Sequence, residues 1–355
     1  MEPYQIAFFG AANSGKSTLV NAIAGQTVSL VSELPGTTTD PVRKRMELPK
    51  IGPCVLVDTA GYGDDGELGQ RRELLSRSVI DSTDLAVLIL SGHKSDKEWE
   101  SLLRKSGVTV VTVQEGTPKD NVLALIIESV PPREEKTIVG NLVKEGSVVL
   151  LVMPQDSGAP KGRIILPQVQ VIRELLDRGC IPHCCTPDSM EGAIKSLRAL
   201  PDLVITDSQV FARVNASIPH QVPLTSFSIL LSSAKGDSET FISGAKAIGY
   251  LKPGARVLIA EACTHVPDSE DIGRVKIPGL LKKRVQGLQV DVAAGNDFPG
   301  DLSEYDLIIH CGACVATAAL VSSRIRKATL AGVPITNYGM AIAALQGILD
   351  RVSIP

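Results

Sequence analysis

Gly10-Ala-Ala-Asn-Ser-Gly15-Lys16-Ser17 constrains this chain more than any other stretch. It follows a short apolar run, Ile6 to Phe9, and leads into a helical pattern from Ser17 to Ala24. Strand, glycine loop and helix at the spacing G-x-x-x-x-G-K-[ST] make a phosphate-binding loop. The glycines let backbone N–H groups turn inward with no Cβ in the way, and the helix N-terminus favours an anion. Gly10, Asn13, Ser14, Gly15 and Thr18 are the expected lining. Lys16 reaches the β- and γ-phosphates and Ser17 ligates Mg²⁺. The ligand expected is a nucleoside triphosphate.

Two later stretches supply more of such a site. Pro35-Gly-Thr-Thr-Thr-Asp40 is a polar loop whose threonines can ligate Mg²⁺. Cys54-Val-Leu-Val-Asp58 is an apolar strand running into Asp58-Thr-Ala-Gly61. A carboxylate there holds the Mg²⁺ water shell, and Gly61 offers its N–H to a γ-phosphate. Tyr62 follows, where Ras-like enzymes carry the glutamine that orients water, so slow hydrolysis is expected. A guanine-specific site would place N-K-x-D after the strand Val108 to Val113. Gln114-Glu-Gly116 stands there instead, and His93-Lys-Ser-Asp96 falls one strand too early.

G-x-x-N-x-G-K-S, G-T-T-x-D and D-T-x-G together resemble the Era/TrmE-like GTPases. The resemblance implies GTP/GDP as the nucleotide and K⁺ in the part of an arginine finger, with Asn13 among its ligands. It also implies Thr38 as the switch threonine on Mg²⁺, so Lys16, Thr38, Asp58 and Gly61 form the catalytic set.

A chain of 355 residues exceeds one ordinary core, and two or three domains are expected. Strand and helix patterns alternate over 1–128. The proline-rich, charged stretch Val130 to Thr137 marks a linker, taken as 129–146. A second alternation, 147–233, reads as a scaffold or oligomerisation module, and a third fills 234–355. The expected fold is three consecutive α/β domains with mainly parallel sheets, the first a P-loop GTPase fold. Within the second domain, helices are expected at Gln168 to Arg178 and Ser189 to Leu200. Strands are expected at Ile181 to Thr186, Leu203 to Asp207 and Leu224 to Leu231. Cys180, His183, Cys184 and Cys185 include residues on opposite strand faces and read as buried structural thiols, not ligands. Net charge is −3 and aromatic content 3%, which argues against a nucleic-acid partner. No apolar run approaches the roughly 18 residues of a membrane span, and no basic-then-apolar leader opens the chain. A cytoplasmic protein with free thiols and no membrane partner is expected.

In the third domain the strand Arg256 to Ala262 ends at Cys263-Thr-His265, and Tyr305 to Ile309 ends at His310-Cys311-Gly-Ala-Cys314. Parallel strands deliver both ends to one carboxyl edge, where sites form. Glu261 shares a strand face with Cys263. A helix beginning near Val315 would aim its N-terminus at the thiolates. Three cysteines and one histidine suit tetrahedral Zn²⁺. Three thiolates equally suit a [4Fe–4S] cluster with one iron left to an exchangeable ligand.

A GTPase of this type, then an α/β module, then C-x-H…H-C-x-x-C resemble the HydF family of [FeFe]-hydrogenase maturation GTPases over essentially the whole chain. The resemblance implies a central domain that self-associates as a homodimer or higher. It implies a [4Fe–4S] cluster on Cys263, Cys311 and Cys314, with His265 or His310 as a labile fourth ligand. It further implies a scaffold that carries the two-iron precursor of the hydrogenase active site to apo-[FeFe]-hydrogenase, beside two radical-SAM maturases. The alternative is a GTPase of RNA modification or ribosome assembly with a structural zinc domain.

Overall fold

Ile6-Ala-Phe-Phe9 and Leu85-Ala-Val-Leu-Ile-Leu90 are apolar on both faces, as central parallel strands covered on each side must be. The computed structural model describes residues 2–25, 41–64, 66–132, 136–155, 164–262, 271–295 and 297–355. The chain divides into two units, 1–134 and 135–355.

The first unit runs β1 (Tyr4–Gly10), α1 (Lys16–Ala24), β2 (Val42–Leu48), β3 (Gly52–Asp58), α2 (Glu67–Ile80), β4 (Leu85–Leu90), α3 (Asp96–Lys105), β5 (Thr109–Gln114) and α4 (Lys119–Ser129). Its sheet has the order β2-β3-β1-β4-β5, with only β2 antiparallel to its neighbour. The chain leaves β1 on one side for β3 and on the other for β4. The carboxyl ends of β1 and β3 therefore flank a crevice, where ligands bind in open α/β sheets. One apolar face packs Ile6, Phe8, Leu85 and Val87 against α1 and α4, and the other packs Phe9, Leu88 and Trp99.

The second unit holds two sheets. The first comprises β6 (Val148–Val152), α5 (Leu166–Asp177), β7 (Ile181–Cys185), α6 (Met190–Ser196), β8 (Leu203–Thr206), α7 (Phe211–Ser217), β9 (Leu224–Ser226) and α8 (Phe227–Lys235). The second comprises α9 (Ser238–Ala247), β10 (Arg256–Glu261), α10 (Ile277–Arg284), β11 (Gln289–Ala294), β12 (Leu307–His310), α11 (Ala318–Leu330), β13 (Ile335–Asn337) and α12 (Tyr338–Leu345). Both are all-parallel and share one winding, β7-β6-β8-β9 and β11-β10-β12-β13. A single apolar cluster joins Val152, Val204 and Leu224 of one sheet to Leu258, Ile308 and Ile335 of the other.

Three expectations need correcting. Leu224 to Leu231 is not one strand: β9 stops at Ser226, whose side chain accepts a hydrogen bond from the Ile229 amide at 3.3 Å and caps α8. Such a cap contributes about 1 kcal/mol. Because Phe227, Ile229, Leu230 and Leu231 are all buried, α8 lacks the polar stripe that separates a helix from a buried strand. The helix after Cys314 begins at Ala318, capped by Thr317, rather than near Val315. Of the four cysteine and histidine positions around β7, Cys180 is buried but Cys184 is exposed, since β7 is an edge strand.

Candidate functional site

The loop between β1 and α1 folds as its glycines require. Gly15 adopts φ 78° and Asn13 φ 63°, left-handed values that glycine tolerates freely and asparagine better than most residues. Ser14 is buried, Lys16 opens α1, and the Asn13 and Thr18 positions are exposed. The Lys16 ammonium lies inside the loop, donating to the Gly10 carbonyl at 3.0 Å and the Ala11 carbonyl at 2.7 Å. Burial lowers its pKa from 10.5 to about 8, against the pull of Asp58 and Asp64. Phosphate oxygens would replace those carbonyls as partners.

Asp58, the last residue of β3, is fully buried, and neither carboxylate oxygen has a hydrogen-bond partner of full geometry among the described residues. Burial raises its pKa, while the neighbouring Ser17 hydroxyl, Lys16 and Lys44 pull it down. An orphaned carboxylate facing a serine hydroxyl at a phosphate loop is a donor set that Mg²⁺ satisfies.

The chain beyond Asp58 runs along the phosphate loop. The Ala12 amide donates to the Tyr62 carbonyl at 2.9 Å, and the Tyr62 amide to the Gly10 carbonyl at 3.3 Å. A Cβ on Gly61 would fall 2.5 Å from Ala12 Cα, so this approach excludes every other residue. Thr38 and its loop lie outside the described residues.

Tyr62 is buried in the apolar layer on Trp99. Its ring stacks on Trp99 with centroids 4.8 Å apart, and its hydroxyl donates to Asp96 Oδ1 at 2.8 Å. Asp96 Oδ2 accepts from the amides of Ser91, Gly92 and His93 at 3.0–3.1 Å. Asp96 thus organises the β4–α3 turn and has no reach to a base. At the guanine-reading place after β5 stands Gln114-Glu-Gly-Thr117. Thr117 is in the aspartate's position and spends its hydroxyl on the Gln114 carbonyl at 2.6 Å. Neither role was visible in sequence spacing.

In the second unit, the winding β11-β10-β12-β13 puts a crevice between the carboxyl ends of β10 and β12. Cys311 follows β12 directly. Its amide donates to the Ala260 carbonyl at 2.9 Å, and its sulfur accepts the Ala262 amide at 3.2 Å. The thiol therefore faces the chain immediately before Cys263, while Cys263 and His265 themselves lie outside the described residues. Cys314 is half-buried on the same loop. Among the described residues no group of three or more His, Cys, Asp or Glu is arranged to hold a metal.

His310 is not presented to this crevice. It is buried, with Nδ1 on the Cys311 carbonyl at 2.8 Å and Nε2 against the Arg324 guanidinium at 3.0 Å. Burial and Arg324 lower its pKa to about 4, so the ring is neutral with both nitrogens committed. Arg324, which sequence reasoning missed, also donates to the carbonyls of Glu261 and Gly295, tying the ends of β10, β11 and β12 together. Glu261 is likewise engaged, its buried carboxylate held by Arg274 with contacts at 2.7 and 3.2 Å.

Residues 138–236 match the hydrogen maturase F dimerization domain and residues 239–355 the hydrogen maturase F tetramerization domain. The chain belongs to the hydrogen maturase F family. Ahead of those two segments, residues 5–115 match the 50S ribosome-binding GTPases, so this hydrogen maturase F chain opens with a GTPase domain. Two of the similar curated proteins each match about a quarter of this chain. The tRNA modification GTPase MnmE of Methylobacterium radiotolerans is 40% identical over 90 residues, 25% of this chain and 20% of that protein. MnmE of Acidiphilium cryptum is 53% identical over 95 residues, 27% and 22% of the two chains. The chain therefore spans under a quarter of the length of either. Among solved structures, Aquifex aeolicus Era bound to GDP.AlF4⁻ gives a TM-score of 0.31 at 15% identity, covering 55% of this chain and 98% of that one. NFeoB from S. thermophilus bound to GDP.AlF4⁻ and K⁺ gives 0.23 at 19% identity, over 39% and 74%. These overall likenesses are slight. Among the described residues of this hydrogen maturase F chain, no helix is long and apolar enough to cross a membrane.

Proposed function

We propose that this chain is a scaffold of [FeFe]-hydrogenase maturation. It would hold a [4Fe–4S] cluster, carry the two-iron precursor as cargo and release it to apo-hydrogenase, in company with two radical-SAM maturases. The observation that carries this reading is the pairing of both hydrogen maturase F segments with a Cys311 thiol aimed at the chain leading into Cys263. Cys263, Cys311 and Cys314 would hold the cluster. With His310 and Glu261 engaged elsewhere, the remaining coordination position falls to His265 or to an exogenous ligand. A bound cluster supplies an iron with an exchangeable site, suited to docking a metal cargo.

The domain reading that goes with this is a GTPase segment 1–128, a linker 129–146, a self-associating segment 147–233 and a cluster segment 234–355. In the first, Lys16 and the loop amides hold the nucleotide phosphates, Ser17, Thr38 and Asp58 hold Mg²⁺, and Asn13 contributes to a K⁺ site. Hydrolysis is slow, because Tyr62 is committed to Asp96 and offers nothing to the attacking water, and the K⁺ held with Asn13 would stimulate it.

Iron and sulfide analysis with EPR on protein purified without oxygen tests the scaffold reading. Iron, sulfide and a reduced-state signal lost in Cys311→Ser are expected. Colourless protein carrying stoichiometric zinc overturns it in favour of a structural metal.

A further inference from the structure

The C-x-x-C loop is gripped from the far end of α8. Lys235, the last residue of that helix, donates to the carbonyls of Ala313 at 2.7 Å, Cys314 at 3.3 Å and Ala316 at 2.8 Å. An ammonium has three N–H donors, and three carbonyls of one short loop converge on it. The loop needs such a hold, since Ala313 sits at φ 54°, a left-handed conformation costly for any residue with a Cβ. The other end of α8 also meets the loop: a Cβ on Gly312 would lie 3.2 Å from Ser228 Cβ. One helix therefore lies along the loop from Gly312 to Ala316.

We propose that Lys235 is a positioning residue for the cluster loop, fixing the C-x-x-C backbone and setting the charge beneath its thiolates. Peptide planarity gives the consequence. With the carbonyls of 313, 314 and 316 turned toward Lys235, the amide N–H groups of 314, 315 and 317 point to the opposite side. Outward amides and a fixed positive charge both stabilise thiolate-rich, reduced clusters and raise their potential. Lys235 lies in the segment matching the dimerization domain, while the loop it holds lies in the tetramerization segment. Rearrangement of α8 within an assembly would thus reach the cysteines directly. The redox part of this inference rests on the cluster reading above. The backbone part does not.

Hydrogen–deuterium exchange on the full-length, metal-free chain tests the backbone part. In Lys235→Met, amides of 313–317 should exchange at least about tenfold faster than in the parent chain, because three charge-assisted hydrogen bonds are gone. Anaerobically reconstituted protein tests the charge. The midpoint potential should move to more negative values in Lys235→Met and stay near the parent value in Lys235→Arg, which keeps the charge. Unchanged exchange in Lys235→Met, or equal potentials in Lys235→Met and the parent, overturns the proposal. A parent chain that takes up no iron sinks the cluster reading alone and leaves the exchange measurement decisive for Lys235. Should Lys235→Met fail to fold, Lys235→Gln, which loses the charge and keeps at most two donors, carries the exchange test, with acceleration expected and parent-like rates refuting the proposal.

Discussion

Replacing Tyr62 with Phe removes one oxygen and leaves the ring's packing alone. The stack on Trp99 and the edge contact with His93 belong to ring carbons and survive the change. What is lost is the 2.8 Å hydrogen bond to Asp96, whose other oxygen remains occupied by three amides. Asp96 and Tyr62 are both buried, so the freed carboxylate oxygen gains no water in exchange. Hydrogen bonds to charged groups contribute about 1.5–3 kcal/mol, and about 2 kcal/mol is expected here. Spread over a unit of 134 residues, that lowers the melting midpoint by about 7 °C. Trp99 is the chain's single tryptophan and touches Tyr62 itself, so its fluorescence in thermal and urea melts reports this unit alone. A Tyr62→Phe midpoint within a degree or two of the parent would show that Asp96 is satisfied without the phenol. The reading that this buried carboxylate oxygen depends on the phenol for its partner would then fail.

Two further expectations concern the nucleotide. Lys16 has a folded-state pKa near 8, below its ordinary 10.5, so burying its charge costs stability at neutral pH and that cost fades as pH rises from 8 toward 10.5. Phosphates restore the ammonium, so nucleotide binding should take up a proton in this window and weaken by up to about tenfold per pH unit above 8. Calorimetry in buffers of different ionisation heat measures that uptake, and a value of zero throughout refutes the buried-lysine reading. Thr117 supplies no carboxylate to a guanine ring. The parent chain should therefore bind GTP and ITP within about threefold, and Thr117→Asp should widen the gap to tenfold or more. Competition against a fluorescent GTP analogue decides it, and strong guanine preference in the parent chain would place base recognition on other residues.

Sequence alone determined the features that a few consecutive residues encode. The Gly10–Ser17 loop, the strand ending at Asp58 and the strand feeding Cys311 were legible because their chemistry and backbone needs are local. A phosphate loop demands a left-handed residue and a helix start at fixed offsets wherever it occurs. Tertiary structure decided which polar side chains remain available. Asp96 has the spacing of a base-reading residue, yet folding gives its oxygens to a turn and to Tyr62. His310 stands beside a cysteine like a ligand, yet Arg324, from a helix packed behind it, takes its free nitrogen. Lys235 is an ordinary helix-terminal lysine until α8 lies along a loop nearly 80 residues further on. These assignments depend on donors and acceptors brought together from distant segments, where burial obliges each polar group to find a partner. No local pattern records which partner that will be.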